Sequence, residues 1–333
     1  MDKIERIDRA LKKLSEQESD CSLCPRECHV DRASRTKGVC QTGRAAGVSH
    51  ALLHYGEEPV ISGHQDCSRA KSRGKHPSAG SGTIFFTGCN LKCLFCQNYQ
   101  ISRNDTPPGR AFSTLEEVVA EVEKHLDQGV KTVGYVSPSH CLPQMKGIIR
   151  LLKERGRESV SVMNTNAYDR AGEIRRLEGV IDVYLPDFKY NLPEPARDYS
   201  GAEDYPQVAR AAIKEMFRQK GDRLRVGPGG YILSGLIVRH LVLPGEVENS
   251  LSCLRWIAAE LSPSVHLSLM AQYRPTPAVA SHPRLGRFLR EDEYGLVIAE
   301  MEKLGFVNGW TQEMNSRESY LPDFQRAEVF KDG

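Results

Sequence analysis

Short apolar runs alternate with amphipathic segments from residue 83 onward, and this alternation predicts strands separated by helices. The runs are rich in β-branched and aromatic residues, as strands buried on both faces of a parallel sheet are. They span residues 83–88, 132–137, 159–164, 180–187, 236–244 and 265–270. Residues 113–129 have a helical apolar pattern, and the spacing of Ser113 and Glu116 predicts a capping box where that helix starts.

Six strand-then-helix units in succession predict an α/β fold, because parallel strands need crossover connections of this kind. Six units are fewer than the eight of a closed barrel, so we predict a partial, open (β/α)6 TIM-like barrel. A doubly wound open sheet is the alternative, since one sequence does not fix strand order. The glycine-rich residues 225–235 lack the GxGxxG order of a phosphate-binding loop and predict a turn that feeds the fifth strand.

Residues 1–80 do not follow this alternation. They begin with a charged amphipathic helix and pass into a group of cysteines. The polar and basic stretch 64–82 has no apolar period and predicts a loop. We therefore predict a small N-terminal Cys-rich metal-binding module within residues 1–80, joined to a barrel over residues 81–333.

Composition and charge exclude several classes of protein. The 333 residues are 40% hydrophobic and 26% charged, which is typical of globular proteins. A balance of 45 basic and 43 acidic residues does not favour a nucleic-acid or membrane-surface partner. No apolar run approaches the ~18 residues that a bilayer crossing needs, and the N-terminal helix lacks the apolar core of a signal peptide. We predict a cytoplasmic protein.

The ten cysteines are unevenly placed, and grouped thiols in a reducing compartment bind metal more often than they form disulfides. The first group is Cys21, Cys24, Cys28 and Cys40. Four thiolates suit either a structural zinc ion or a second iron–sulfur cluster, with unliganded buried thiols as the simpler alternative. Cys67, Cys141 and Cys253 stand alone and predict no site, and Cys253 lies on the apolar face of a predicted helix.

The second group follows the first predicted strand, in "TGCNLKCLFCQN". Cys89, Cys93 and Cys96 are one ligand short of a closed zinc site. The spacing CxxxCxxC suits three corners of a [4Fe–4S] cluster and leaves one iron open for a small molecule. The carboxyl end of a barrel strand is where active sites lie. The alternative is a zinc site completed by a distant ligand such as Cys141.

The residues around the second cysteine group resemble those of a known protein family. "GCNLKCLFCQN", with Phe95 directly before the last cysteine, resembles the cluster loop of the radical S-adenosylmethionine superfamily. The phrases "IDVYLPDFKY", "VRHLVLPG" and "SLMAQY" are similar to homologues of pyruvate formate-lyase-activating enzymes, and the resemblance extends from "CSLCPREC" to "NGWTQE".

The resemblance implies an oxidoreductase with a [4Fe–4S] cluster whose open iron is chelated by the amine and carboxylate of S-adenosylmethionine. One electron, from a donor such as flavodoxin or ferredoxin, would break the sulfonium–C5′ bond. The resulting 5′-deoxyadenosyl radical would abstract hydrogen from a substrate, for which a protein or peptide is expected, as in glycyl-radical activation.

The resemblance also implies roles for polar residues at strand ends. Lys189 would pair with the cofactor carboxylate, and Asp187 would orient it. Ser137 and Ser139 stand where activating enzymes have a GGE-type segment that binds the methionine amine, so the sequence departs from the family there. Asn164 replaces an acidic residue that contacts the cofactor. The residues that resemble neighbours of the adenosine or substrate are Met270, Gln272 and Tyr273.

The prediction for Arg239 and His240 rests on the residues alone and does not depend on the resemblance. A charged group inside an apolar strand is costly unless it is paired, so one of these two side chains is predicted to have an active-site role. The alternative class of function is a non-catalytic protein, either an iron–sulfur electron carrier or a zinc-stabilised interaction module. Such a protein does not need Lys189, Arg239 and Tyr273 at the mouth of a barrel.

Overall fold

A computed structural model of the chain describes residues 3–8, 18–34, 37–45, 47–63, 80–103, 112–318, 321–326 and 328–330. The strands are β1 Val48–His54, β2 Ser81–Phe86, β3 Thr132–Val136, β4 Val160–Thr165, β5 Val183–Pro186, β6 Arg225–Val226, β7 Ile232–Leu241, β8 His266–Met270 and β9 Gly309–Thr311. The helices are α1 Pro59–Ser62, α2 Tyr99–Ser102, α3 Leu115–Asp127, α4 Leu142–Glu154, α5 Ala171–Arg176, α6 Pro193–Ser200, α7 Tyr205–Lys220, α8 Val247–Glu260 and α9 Glu291–Lys303. Within these ranges, no helix has the length and apolar character that a bilayer crossing requires.

The sheet is mostly parallel and follows the order of the chain. Its strand order is β1-β2-β3-β4-β5-β7-β8-β9, and β6 pairs with β7 beside this path. Each pair from β2 to β9 along the path is parallel, whereas β1 is antiparallel to β2. A doubly wound sheet reverses its strand order at a switch point, and this order does not reverse. The predicted α/β class is confirmed, and the topology is consistent with a partial barrel.

Burial explains why the central strands form where they do. Every residue of β2 and of β3 is buried, as the continuous apolar character of these segments predicts. Ile84, Val133 and Tyr135 belong to one large core cluster that also includes Val118 and Val122 of α3. The helices therefore cover the sheet and leave the ends of its strands for chemistry.

The start of α3 corrects one prediction by a single residue. The N-cap is Thr114, whose hydroxyl accepts a hydrogen bond from the Glu117 backbone N–H at 3.2 Å. The Glu117 carboxylate accepts from the N–H groups of Thr114 and Ser113 in return. Ser113 and Glu116 have the same spacing, but the capping box is formed by Thr114 and Glu117.

Three strands, β1, β6 and β9, were not predicted, and one predicted strand begins earlier than predicted. β1 lies before the predicted boundary at residue 80 and pairs with β2, while β9 extends the other edge beyond β8. The fifth predicted strand begins at Ile232 because residues 225–235 form a hairpin between β6 and β7. Most of the predicted loop 64–82, including Cys67, lies outside the described residues.

The N-terminal cysteine segment packs directly on the barrel. The Arg170 side chain donates to the carbonyl oxygen of Ser22 at 2.8 Å. Arg32 donates to the carbonyl oxygen of His140 at 2.6 Å. The segment and the α/β fold therefore share direct contacts, and the domain boundary at residue 80 stays a prediction.

Candidate active site

The carboxyl ends of the parallel strands open into a cavity of about 320 Å³. In a parallel sheet these ends lie at one edge, so residues that are distant in sequence meet there. Most of the predicted site residues line this cavity. They are Cys89, Cys93, Cys96, Ser137, Asn164, Asp187, Lys189, Arg239, Met270 and Gln272.

The three cysteines occupy the loop between β2 and α2. The loop is held from outside, because the N–H of Leu94 donates to the carbonyl oxygen of Tyr199 at 2.8 Å. Burial raises the pKa of Cys89 to about 12, and the neighbouring Cys93 and Cys96 contribute in the same direction. The Cys89 thiol therefore keeps its proton at neutral pH unless a bound cation displaces that proton.

Each sulfur of this loop accepts a hydrogen bond. The Ser200 hydroxyl at the end of α6 donates to the Cys93 sulfur at 2.9 Å. The Ser102 hydroxyl donates to Cys96 at 3.4 Å. The Asn166 amide and the backbone N–H of Leu91 both donate to Cys89 at 3.4 Å. Such donors stabilise a sulfur that carries negative charge, as a metal-bound thiolate does.

Lys189 and Asp187 form an ion pair in the loop after β5. Their side-chain atoms lie 2.7 Å apart and are 16% and 24% exposed. Burial alone would lower the pKa of Lys189, but the Asp187 carboxylate raises it above its usual range. The Tyr205 hydroxyl fixes the loop by accepting from the Lys189 N–H and donating to the Asp187 carbonyl oxygen. A permanently charged ammonium group therefore stands on the cavity wall.

Arg239 is the member of the Arg239–His240 pair that lines the cavity. Its guanidinium binds both carboxylate oxygens of Glu58, at 2.7 and 2.6 Å, and it also contacts Glu57. Burial alone would raise the pKa of Glu58, but Arg239 holds that pKa below its usual range. His240 points away, donating from Nδ1 to the Phe188 carbonyl oxygen at 2.7 Å.

Ser139 and Tyr273 are not brought to the cavity. The Ser139 hydroxyl is buried and bonds to the Thr165 hydroxyl at 3.1 Å. The Tyr273 hydroxyl donates to the Leu285 carbonyl oxygen at 2.6 Å. Its ring centre lies 6.2 Å from that of Phe95, so Tyr273 packs behind the cluster loop.

Several residues that line the cavity were not predicted from the sequence. Glu57 and Glu58 lie between β1 and α1, about 180 residues before their partner Arg239. Gln312 follows β9 and donates to the side-chain oxygen of Gln272 at 2.8 Å. The phrase "NGWTQE", where the resemblance ends, contains Gln312 and was the one available signal for this edge. The other missed residues include His54, Gln97, Asn98, Asn166, Ser268, Trp310, Pro322 and Phe330.

The four N-terminal thiols line a separate, much smaller cavity of about 10 Å³. Arg26, Arg32 and His140 also line it. Cys141 and Cys253 line neither cavity, and Cys253 is fully buried in the core. Among the residues that the structure describes, no three His, Cys, Asp or Glu side chains close around a single metal-ion position. This holds for both cysteine groups, so neither is a preformed one-ion site.

One comparison with known proteins shows the family, and two others give relatives and a structural neighbour. A family model described as the Radical SAM superfamily matches residues 83–250, which is just over half of the chain. The protein named Uncharacterized protein MJ0674, from Methanocaldococcus jannaschii, is 29% identical over 298 residues, covering 86% of this chain and 76% of its own. Uncharacterized protein MJ0808 of the same organism is 26% identical over 205 residues, covering 61% and 56%.

Among solved structures, Streptococcus suis SuiB resembles this chain with a TM-score of 0.43 and 11% sequence identity. The alignment covers 70% of this chain and 48% of SuiB, so the chain spans about half the length of that protein. A similarity of this size carries no argument about function.

Proposed function

The chain belongs to the radical S-adenosylmethionine (SAM) superfamily, and on this premise we propose that Cys89, Cys93 and Cys96 hold its [4Fe–4S] cluster at the cavity. Family membership implies an enzyme that uses such a cluster and SAM in radical chemistry. The observation that carries the proposal is the convergence of these three thiols and Lys189 on one cavity.

The donor set fits the cluster. The three sulfurs face a shared cavity, and among the described residues no other cysteine lines it. Three thiolates would leave one iron of such a cluster without a protein sulfur. The hydrogen bonds to each sulfur add the second layer of contacts that ligating groups usually have.

When bound, the cluster and SAM supply one-electron cleavage of the sulfonium–C5′ bond and a 5′-deoxyadenosyl radical that takes hydrogen from the substrate. In our proposal the chain's own residues bind and orient. Lys189 pairs with the SAM carboxylate, and Asp187 keeps the ammonium group in place. Ser137 and Asn164, whose strand ends are joined by a 2.8 Å backbone hydrogen bond, supply oxygen acceptors for the SAM amine.

The wall formed by Arg239, Glu57 and Glu58 favours a cation. Two carboxylates share one guanidinium, and their side chains are 8% and 5% exposed. This leaves an excess negative charge at a place where water screens it poorly. SAM, with one carboxylate, one ammonium and one sulfonium group, carries a net positive charge that suits this wall.

The finer parts of the proposal rest on the resemblance to homologues of pyruvate formate-lyase-activating enzymes. They are a protein or peptide substrate, hydrogen abstraction from its backbone as in glycyl-radical activation, and a one-electron donor such as flavodoxin or ferredoxin. The proposal includes a cytoplasmic setting, because the absence of disulfides among the described cysteines suits a reducing compartment.

Anaerobic reconstitution tests the proposal. The protein is loaded with iron and sulfide, reduced with dithionite and mixed with SAM, and the products are separated by chromatography. We expect 5′-deoxyadenosine and methionine in equal amounts, and neither product when dithionite is omitted. Reconstituted protein that forms neither product would contradict the proposal.

The proposed substrate class is tested in a separate experiment. A mixture of short glycine-containing peptides, deuterated at Cα, is added to the same reaction. Deuterium in the 5′-deoxyadenosine would support backbone abstraction. Unlabelled 5′-deoxyadenosine formed at an undiminished rate would contradict the peptide part alone.

A further inference from the structure

The four N-terminal thiols form a second built site outside the active-site cavity. Cys21, Cys24, Cys28 and Cys40 come from two turns of the chain and line one small cavity. None of the four forms a disulfide. Two arginines, Arg26 and Arg32, line the same cavity, and their positive charges suit a group of thiolates.

The sulfurs are already held by backbone donors. The N–H of Leu23 donates to the Cys21 sulfur, and the N–H of Arg26 donates to the Cys24 sulfur. Leu91 makes the same two-residue contact with Cys89 in the active-site loop. The N–H of Val39 donates to the Cys28 sulfur at 3.4 Å.

Two buried polar atoms at this cavity have no hydrogen-bond partner. His140 is 1% exposed and donates from Nε2 to the Thr87 carbonyl oxygen at 2.8 Å, which leaves a lone pair on Nδ1. That Nδ1 atom has no partner among the described residues, and neither has Nε of Arg32. An unmet buried polar group is unfavourable, so a ligand in the cavity that contacts these atoms would remove a penalty that the protein otherwise bears.

We propose that Cys21, Cys24, Cys28 and Cys40 bind a second thiophilic metal centre, which braces the loop that carries the active-site cysteines. Zinc ions and iron–sulfur clusters both take four thiolates, and they share this chemistry. The sulfurs do not close around one point in the described structure, so metal binding requires them to move.

The contacts of this site explain the bracing. The Arg26 side chain donates to the Asn90 carbonyl oxygen at 2.9 Å. The Thr87 carbonyl oxygen accepts from His140 at 2.8 Å and from Thr42 at 3.4 Å. Residues 87 and 90 stand on either side of Cys89, so the metal-binding turns fix the start of the active-site loop. This bracing role rests on the proposed function, whereas the metal site itself does not.

Metal content is tested first, in the variant Cys89→Ala/Cys93→Ala/Cys96→Ala, which removes the proposed active-site ligands. The protein is reconstituted with Zn²⁺ alone or with Fe²⁺ and sulfide, and bound metal and acid-labile sulfide are counted. About one zinc per chain would identify a zinc site, and iron with an equal amount of sulfide would identify a cluster. Adding Cys24→Ala and Cys28→Ala should remove either.

Failure of the proposed function leaves this measurement unaffected, because the active-site thiols are already absent. Binding of neither metal above the level of the variant that also lacks Cys24 and Cys28 would overturn the second site. A chain that fails to fold is recognised by circular dichroism. In that case the single variant Cys24→Ala, measured for loss of metal relative to the wild type, gives the same decision.

The bracing role is tested with Arg26→Gln, which keeps all four thiols and removes the hydrogen bond to Asn90. We expect about 10-fold faster loss of the SAM-sensitive paramagnetic resonance signal in the presence of a chelator, with the metal at the N-terminal site counted in the same samples. The control is Arg255→Gln, on the exposed pair with Glu248. Loss of the signal at the wild-type rate in Arg26→Gln would overturn the bracing role.

Discussion

The two cysteine groups differ in what surrounds them. The active-site loop brings three thiols to a cavity of about 320 Å³, whereas the N-terminal turns bring four thiols to a cavity of about 10 Å³. Three ligands and ample space allow a further molecule to bind at the metal. Four ligands and almost no space do not, so only the first group is built for exchange of a ligand.

The sources of the hydrogen bonds differ as well. Side chains from other elements, Ser200 and Asn166 among them, reach the sulfurs of the active-site loop. In the N-terminal turns, by contrast, backbone N–H groups of the same turns donate, such as those of Leu23 and Val39. The first environment is therefore assembled by side chains from several elements and is open to tuning by substitution, whereas the second is largely set by the path of its own backbone.

The largest expected effect separates the two groups directly. Cys93→Ala should abolish formation of 5′-deoxyadenosine, because removal of one of three ligands leaves the cluster without support. Cys24→Ala should reduce the rate and leave measurable product, since it acts on the cluster only through the loop. The measurement is product formed under anaerobic dithionite reduction.

Cys253→Ala is the matched control, because this thiol is fully buried and lies in neither group. Its rate should stay near that of the wild type. Cleavage of SAM by Cys93→Ala at the wild-type rate would remove the distinction between the groups and with it the active-site assignment.

The next effect is on stability and concerns the charged side chains that line the larger cavity. Glu58→Gln removes one carboxylate from the buried contact with Arg239, and breaking such a pair costs about 3–5 kcal/mol of stability. The midpoint of anaerobic denaturant unfolding should fall accordingly. Glu248→Gln is the control, since Glu248 is 70% exposed and a surface pair contributes about 0–1 kcal/mol. Equal shifts in the two variants would contradict the structural importance of the Arg239 contact.

The contact between Arg239 and Glu58 also shows how much of the site can be predicted from the sequence. An arginine inside an apolar strand predicts a buried partner, and that prediction needs only Arg239 and its neighbours. Its partners are Glu57 and Glu58, more than 180 residues away in a segment without a strand pattern that we recognised. Only the pairing of β1 with β2 brings that segment to the cavity edge, and local periodicity carries no information about such pairing.

Strand-end positions were predictable, but side-chain directions within each loop were not. The carboxyl ends of six strands placed Cys89, Asp187, Lys189 and Gln272 correctly at one cavity. Ser139 lies two residues beyond Ser137, inside a short helical turn that buries its hydroxyl against Thr165. Loop conformation depends on such tertiary contacts, and the sequence pattern of a loop does not specify them.

A smaller effect is expected at Lys189, which lines the larger cavity, where a ligand of the proposed cluster can exchange. Lys189→Gln removes a charge-assisted contact to the SAM carboxylate, and contacts of this kind contribute about 1.5–3 kcal/mol. Affinity for SAM should therefore fall about 10- to 100-fold, measured by titration of the resonance signal of the reduced cluster. Lys214→Gln, on the exposed pair with Glu260, is the control. Unchanged affinity in Lys189→Gln would contradict the assigned role.

The smallest expected effect tests whether side-chain donors tune the active-site loop. The Ser200 hydroxyl lies 2.9 Å from the Cys93 sulfur, and the Ser102 hydroxyl lies 3.4 Å from the Cys96 sulfur. A donor stabilises the more negative, reduced cluster, and hydrogen bonds to the sulfurs are among the factors that set its potential. Ser200→Ala should therefore shift the potential to a more negative value, and Ser102→Ala should shift it less, because its hydrogen bond is longer. A redox titration followed by paramagnetic resonance measures both. A potential in Ser200→Ala that equals or exceeds that of the wild type would show that these side chains position the loop without tuning the cluster. The contrast with the N-terminal turns would then rest on cavity size and ligand number alone.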